Sequence, residues 1–92
     1  MNNVQVGMKV EAYKGRCVGI LIESTTWQGE VIKVNKKSIR VKLTESTSKR
    51  GRRITSHWEN LNIEKTYRFV KTLSDGRDFY RSEADLYGMI VI

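Results

Sequence analysis

One stretch of the sequence decides the fold: Trp27-Gln28-Gly29-Glu30-Val31-Ile32-Lys33-Val34-Asn35-Lys36-Lys37-Ser38-Ile39-Arg40-Val41-Lys42-Leu43-Thr44. Its two halves are rich in Val and Ile, and the polar residues 35–38 separate them, which is the pattern of two strands joined by a turn. From Ile39 to Thr44 apolar and basic residues alternate, so one face of this strand is apolar and the other carries Arg40 and Lys42. The stretch predicts a β-hairpin with one buried face and one cationic, outward face.

Short runs of β-forming residues on both sides of this hairpin predict further strands. They are Met8–Tyr13, Cys17–Glu23, Arg52–Trp58, Thr66–Leu73 and Asp78–Ser82. The segments between them predict a turn at residues 14–16, a polar loop at 45–51 and a crossover at 59–65. The Asp75-Gly76 pair predicts a tight hairpin turn, because both residues tolerate a positive φ.

The C-terminal residues predict a short helix and a last strand. Ser82 can act as the N-cap of a helix of about one turn, which Gly88 would end. The apolar residues Met89–Ile92 must then be covered. We expect a final strand that closes the sheet, because unprotected apolar edges are avoided. The alternative is an exposed edge that pairs with a second copy of the chain, giving a weak homodimer through Met89–Ile92.

Two segments resemble known small barrels. Val6-Gly7-Met8-Lys9-Val10-Glu11-Ala12-Tyr13 is similar to the first strand of Src-homology-3-like barrels, and the order of Gly7, Val10, Gly15, Gly19 and Leu21 is similar to KOW-like modules. Residues 26–32 followed by 38–43 resemble the central hairpin of Tudor-like modules. The resemblance covers residues 6–58. It implies a small barrel that contacts RNA, the translation or transcription machinery, or a protein partner.

The chain is therefore predicted to be mainly β, as a five- to seven-stranded Src-homology-3-like barrel of the Tudor or KOW type. Its 92 residues fit one domain. We divide this domain into a barrel-like core at 6–58 and a C-terminal part at 66–92, which holds the hairpin, the one-turn helix and the closing strand.

Composition favours a cytoplasmic protein. No apolar stretch reaches the roughly 18 residues that cross a bilayer. The first residues, 1–5, lack the basic and apolar regions of a secretory signal. The single Cys17 cannot form a disulfide within the chain.

The positive charge is concentrated in one segment. The net charge is +7, but residues 33–53 contain nine basic residues and only one acidic residue, so this segment carries +8. Such a localised field attracts polyanions, and Lys and Arg bind phosphate oxygens directly. We therefore expect a nucleic-acid-binding protein, DNA or RNA, without strong sequence specificity; an acidic protein partner is the alternative. The candidate binding residues are Lys33, Lys36, Lys37, Arg40, Lys42, Lys49, Arg50, Arg52, Arg53 and His57.

Aromatic residues could add base stacking to this phosphate binding. Trp27 is a possible stacking residue because its strand neighbours the basic strand. Residue parity in Arg52–Trp58 predicts that Ile54 and Trp58 face the core, while Arg53 and His57 face outward with Arg40 and Lys42. Four more aromatics are predicted to build the core of the C-terminal part: Tyr67, Phe69, Phe79 and Tyr80.

Catalysis is not expected from this sequence. Nucleophilic chemistry by Cys17 with His57 is conceivable, but Cys17 borders an apolar run, where thiols are usually inert packing residues. One Cys and one His do not make a tetrahedral metal site. No phosphate-binding glycine loop is present, so we expect no nucleotide cofactor. The sequence thus predicts a binding protein with neither cofactor nor metal.

Overall fold

The computed structural model describes residues 4–83 and 88–92. Within them the chain forms strands only, which we number in chain order. They are β1 (Lys9–Val18), β2 (Leu21–Val34), β3 (Ser38–Arg50), β4 (Arg53–Trp58), β5 (Ile63–Thr72), β6 (Asp78–Ser82) and β7 (Gly88–Val91).

Six of the strands close into an antiparallel barrel. The sheet order is β2-β1-β7-β6-β5-β3-β4, and an additional β2–β3 pairing joins its two sides. Closure removes sheet edges from the barrel, and β4 remains as an extra strand beside β3. The predicted mainly-β small barrel is confirmed. The predicted closing strand is also confirmed, because β7 pairs with both β1 and β6. Its two edges are therefore already used within the chain.

The β2–β3 hairpin is longer than the barrel. Residues 38–43 of β3 pair with β5, whereas residues 46–50 pair with β4. On the other side of β3, β2 pairs with both of these parts, and β1 pairs with β2 as far as the first residue of β2. The outer halves of β1, β2 and β3 thus form, with β4, a four-stranded sheet that projects from the barrel. We call this sheet, residues 14–18, 21–28, 45–50 and 53–58, the extension.

A β-bulge separates the barrel from the extension. Leu43 pairs with Gly29, but Glu45 pairs with Gln28, so Thr44 is the extra residue in β3. At this point the backbones approach closely: a Cβ on Gly29 would lie 2.6 Å from the Lys42 carbonyl oxygen. The bulge reverses the parity of β3. Odd-numbered residues point inward before Thr44, and the buried Ser46 shows that even-numbered residues point inward after it.

The core fills the barrel and follows the predicted alternation. Its buried residues are Val4, Val10, Ala12, Val31, Ile39, Val41, Leu43, Tyr67, Tyr80 and Ile90. Phe69 packs against this cluster, and its ring meets that of Tyr80 edge-on, with centroids 5.7 Å apart. The prediction that Tyr67 and Tyr80 belong to the core is confirmed.

Two predictions near the N-terminus are wrong, the turn at residues 14–16 and the uninterrupted strand Cys17–Glu23. β1 continues through residues 14–16, and the chain turns instead at Gly19 and Ile20. Gly19 has φ 63°, the value that the first position of a two-residue II′ hairpin turn requires. Because the turn lies at this point, Cys17 is exposed at the far end of the extension instead of bordering the core.

The predicted polar loop at 45–51 is also wrong. Residues 45–50 continue β3 instead of forming a loop, because their backbone pairs with β2 on one side and β4 on the other. The predicted crossover is only a kink between β4 and β5, where Leu61 donates a backbone hydrogen bond to Thr44. The predicted turns at 35–38 and at Asp75-Gly76 are confirmed. The predicted one-turn helix falls on residues 84–87, outside the described residues.

Replacing Gly29 by alanine tests the close approach at the bulge. The added Cβ would overlap the Lys42 carbonyl, and neither backbone can move without disturbing the pairing of β2 with β3. We expect Gly29→Ala to lower the free energy of unfolding in urea by about 1–3 kcal/mol. The exposed neighbour provides the control, since Gln28→Ala should change it by less than about 0.5 kcal/mol. Equal stability of Gly29→Ala and Gln28→Ala would show that the close approach of the two backbones does not restrict the residue at position 29.

The hydroxyl of Tyr80 predicts an alkaline limit to stability. It is buried, and no described residue accepts its hydrogen bond. Burial, and to a lesser degree the Asp78 carboxylate, raise the pKa of Tyr80 to about 12 from its ordinary value of 10.0. The folded state therefore holds this proton more tightly than the unfolded state, and stability is lost as the pH rises from 10 towards 12.

Tyr80→Phe should remove this part of the alkaline loss. At pH 8 we expect the variant to be as stable as the parent or more so, because it buries no unpaired hydroxyl. Between pH 8 and pH 11, the melting temperature should fall less in Tyr80→Phe than in the parent. The same fall in both proteins would assign the alkaline loss to other groups.

Candidate nucleic-acid interface

Three rows of side chains cross the face of the extension that continues the barrel lining. Residues directly opposite one another in neighbouring strands share a face, so the pairing assigns each row. The row nearest the barrel is Ala12-Trp27-Ser46-Trp58, the middle row is Lys14-Thr25-Ser48-Ser56, and the outer row is Arg16-Glu23-Arg50-Arg53. We call these three rows the inner face. Successive rows lie about 7 Å apart along the strands.

The outer row holds two arginines on one carboxylate. Arg16 donates to Glu23 Oε2 from both Nε, at 3.1 Å, and Nη2, at 3.0 Å. The Arg50 Nε lies 3.6 Å from the other carboxylate oxygen of Glu23. All three groups are partly exposed, so their mutual attraction adds little stability. Its effect is positional, because it fixes two guanidinium groups side by side on the inner face.

The middle row supplies hydroxyl groups to a groove. Thr25 Oγ1 and Ser48 Oγ lie 3.0 Å apart, and Thr55 donates to the Ser48 carbonyl at 3.2 Å. Together with Lys14, Arg16 and Arg50, these residues line an open groove of about 670 Å³. Hydroxyls and guanidinium groups are the side-chain donors that commonly bind phosphate oxygens.

The row nearest the barrel carries both tryptophans. Trp27 is half-buried, packs against the core, and has the Lys65 ammonium 5.2 Å from its ring centroid. Trp58 is 62 % exposed, so its predicted place in the core is wrong. Trp58 does lie on the face that continues the barrel lining, opposite Ser46, but β4 pairs only with the part of β3 beyond the barrel, so this end of the row is not enclosed by it. A second bulge lies between Trp58 and Ile54: Ser48 pairs with Ser56 and Lys49 with Ile54, which leaves Thr55 as an extra residue. Trp58 and Ile54 therefore do not share a face.

The same bulge makes Arg53 face the side opposite to the predicted one. Arg53 pairs with Arg50 in the outer row of the inner face, so it does not share the outward face of Arg40 and Lys42. His57 does face outward, opposite Thr47. Its ring nitrogens lie 2.8 Å from Thr47 Oγ1 and 3.2 Å from Glu59 Oε1.

The far end of the extension carries a concentrated positive charge. Its cations are Arg16, Lys49, Arg50, Arg52 and Arg53, which we call the tip cluster, and Glu23 is the single acid among residues 15–24 and 49–54. Lys49, Arg52 and Arg53 are exposed, and none of them forms an ion pair with a described residue. The net charge of these two segments is +4.

The predicted basic face on the barrel is balanced by acids from other strands. Arg40 donates to Glu64 at 3.3 Å and to Thr66 at 2.9 Å. Lys42 lies between Glu30 on β2 and Glu64 on β5 in the strand register. Glu30 is also 3.8 Å from the Lys9 ammonium. Counting charge along residues 33–53 could not detect this balance, because both acids lie outside that segment.

The remaining predicted residues form a second, separate group. Lys33 lies beside Arg40, and Lys36 and Lys37 occupy the β2–β3 turn. This turn is at one end of the hairpin and the tip cluster is at the other, in a molecule whose longest extent is 38 Å. The structure thus divides the predicted single patch into two groups at opposite ends.

Cys17 and His57 are not brought together. Cys17 lies on β1 and His57 on β4, with β2 and β3 between them. In the described part of the chain, no group of three His, Cys, Asp or Glu side chains could hold a metal ion. No helix long and apolar enough to cross a bilayer occurs in residues 4–83 or 88–92.

Sequence reasoning missed Arg16, Lys65 and Trp58 as site residues. Arg16 lies outside the basic segment, and its strand was read as a turn. Lys65 falls in the segment that was read as a crossover. Parity places Trp58 on the inward face, as the structure does, but its strand lies beyond the closed barrel, so the side chain is exposed. The local sequence pattern does not indicate that β4 extends past the barrel.

The comparisons with known proteins find no relative of this chain. No protein-family model, curated protein or solved structure that was compared with this chain matches it.

Replacing Trp58 by alanine tests its position at the surface. We expect the free energy of unfolding to fall by less than about 1 kcal/mol, in contrast to the about 3–5 kcal/mol that truncating a core tryptophan costs. Trp27→Ala, which removes a residue packed against the core, should cost more than Trp58→Ala. Urea unfolding followed by circular dichroism measures the stability of both variants. A larger loss of stability in Trp58→Ala than in Trp27→Ala would show that Trp58 is a core residue.

Proposed function

We propose that this protein is a non-enzymatic nucleic-acid-binding barrel that contacts phosphates through the extension. The observation that carries the proposal is the tip cluster: five cations with one acid at the end of a projecting sheet. Neutralising phosphates with Lys and Arg releases condensed counterions, which is the main source of affinity for proteins of this kind. The Tudor-like and KOW-like resemblance of residues 6–58 agrees with such a role.

The geometry of the cations favours phosphate contacts over base readout. Sequence is read by groups that reach base edges, whereas contacts to phosphate are indifferent to sequence. The tip cluster lies on strand ends and a tight turn, and three of its members, Arg16, Lys49 and Arg50, line an open groove with hydroxyl donors. We therefore propose binding without strong sequence specificity, to DNA or RNA.

A protein partner is the second candidate, and one observation favours it. Ile20, Leu21, Ile22 and Ile54 are exposed beside the tip cluster, with Ile20 fully so. Exposed apolar groups that lie next to charged ones are common at protein interfaces. An acidic protein held by the same cations would make the extension a docking module.

Two matched charge reversals test which end of the molecule binds. Arg52→Glu with Arg53→Glu changes the tip, and Lys36→Glu with Lys37→Glu makes the same change in charge at the β2–β3 turn. We expect the tip variant to bind a labelled oligonucleotide about tenfold more weakly or worse at low salt, with the slope of log affinity against log salt smaller by about 2. The turn variant should lose much less. Fluorescence anisotropy at several salt concentrations measures both.

The outcomes separate the candidates. Equal losses in the two variants would mean that net charge alone acts, and would contradict the assignment to the tip. No salt-dependent binding of DNA or RNA by the parent protein would reject the nucleic-acid proposal and leave the protein partner. Circular dichroism of each variant verifies that the fold is retained.

A further inference from the structure

The exposed Trp58 is the feature of the site that phosphate binding does not use. Its indole is 62 % exposed, although Trp is among the most highly buried residue types on average. It lies on the inner face, in the same row as Ser46 and Trp27, and not among the apolar residues at the tip. An open aromatic ring on a face that also carries arginines and hydroxyls is the combination found where nucleic-acid bases stack.

Trp58 is better placed for stacking than the predicted Trp27. Trp27 is half-buried, and the Lys65 ammonium lies over its ring. Trp58 is two strands away on the same face, at about 10 Å, with only the small side chain of Ser46 between them. The row thus offers one largely exposed indole at Trp58, and a half-buried one at Trp27 that lines the groove and already contacts a cation.

The stacking group and the phosphate-binding groups lie within one short binding site. Along β3, Ser46 in the Trp58 row and Arg50 in the outer row are four residues apart, which is about 13 Å. This distance is no longer than the shortest site, about 4 nucleotides, that a small barrel covers on a single strand. One strand can therefore reach Trp58 and the outer row at the same time.

The same arrangement discriminates against a duplex. In a double helix each base face is covered by its neighbours, so an indole cannot stack on it without disrupting the helix. Only an unpaired base presents a free face to Trp58. Phosphate contacts at the tip cluster would hold either form, but Trp58 adds affinity for one of them alone.

We propose that the inner face of the extension binds single-stranded nucleic acid, with an unpaired base stacked on Trp58 and the neighbouring phosphates on the arginines of the outer row. This inference rests on the proposed function and adds the class of nucleic acid. Trp58 supplies the preference for single strands, and the tip cluster supplies the salt dependence.

Three probes of equal length separate the two contributions: labelled oligothymidylate, the same strand built of abasic sites, and a duplex. We expect the parent protein to bind oligothymidylate most tightly. Trp58→Ala should weaken that binding about fivefold to a hundredfold, the effect of losing one stacked base, and leave binding of the abasic strand unchanged. Trp58→Phe should restore part of the affinity. Tyr13→Ala, which removes an exposed aromatic ring from the opposite face of β1, is the matched control and should have no such selective effect.

Each result decides between the two proposals. If Trp58→Ala weakens the abasic strand as much as oligothymidylate, or if the parent protein binds the duplex equally well, stacking on Trp58 is rejected and phosphate binding at the tip remains. If none of the three probes binds, the proposed function itself is rejected. Thermal melts of the variants verify that any loss of binding is not a loss of folding.

Discussion

The close approach of β2 and β3 at Gly29 is the constraint on which the rest of the structure depends. Because no side chain separates Gly29 from the Lys42 carbonyl, the hairpin can bulge at Thr44 without coming apart. On one side of the bulge the hairpin is part of a closed barrel. On the other side it continues as an open sheet, which β4 extends. The bulge thus makes an exposed sheet out of strands whose other halves form the core.

The position of the bulge also explains the distribution of charge. Barrel strands have neighbours on both sides, so Arg40 and Lys42 come to lie beside acids from β2 and β5. At the far end of the extension the sheet has fewer neighbours, and Glu23 is the acid that its cations share. One carboxylate among five cations leaves a net positive charge at this end. A short chain with an ordinary excess of Lys and Arg acquires a localised electrostatic site in this way.

The sequence predicts the barrel well and the site only in part. Alternation in residues 39–43 identifies the central strand and its buried face, and the short apolar runs identify most of its neighbours. Polar residues 45–50 resemble a loop because a strand exposed on one face and lined with hydroxyls on the other has no apolar alternation. Bulges at Thr44 and Thr55 reverse parity without a sequence signal, so the predicted face of Arg53 is wrong. Trp58 is exposed because its strand lies beyond the barrel, which parity does not indicate. Ion pairs such as Arg40–Glu64 depend on pairing between distant strands, which local patterns do not contain.

If the inner face and the tip cluster hold nucleic acid, a map of perturbed backbone amides will show it most directly. The measurement is a titration of the isotopically labelled protein with a short single strand, followed by amide chemical shifts. The account predicts that the largest changes fall in residues 14–16, 23–27 and 46–58. Largest changes in residues 38–42 and 64–68, on the balanced face of the barrel, or in the turn at 35–37, would contradict it.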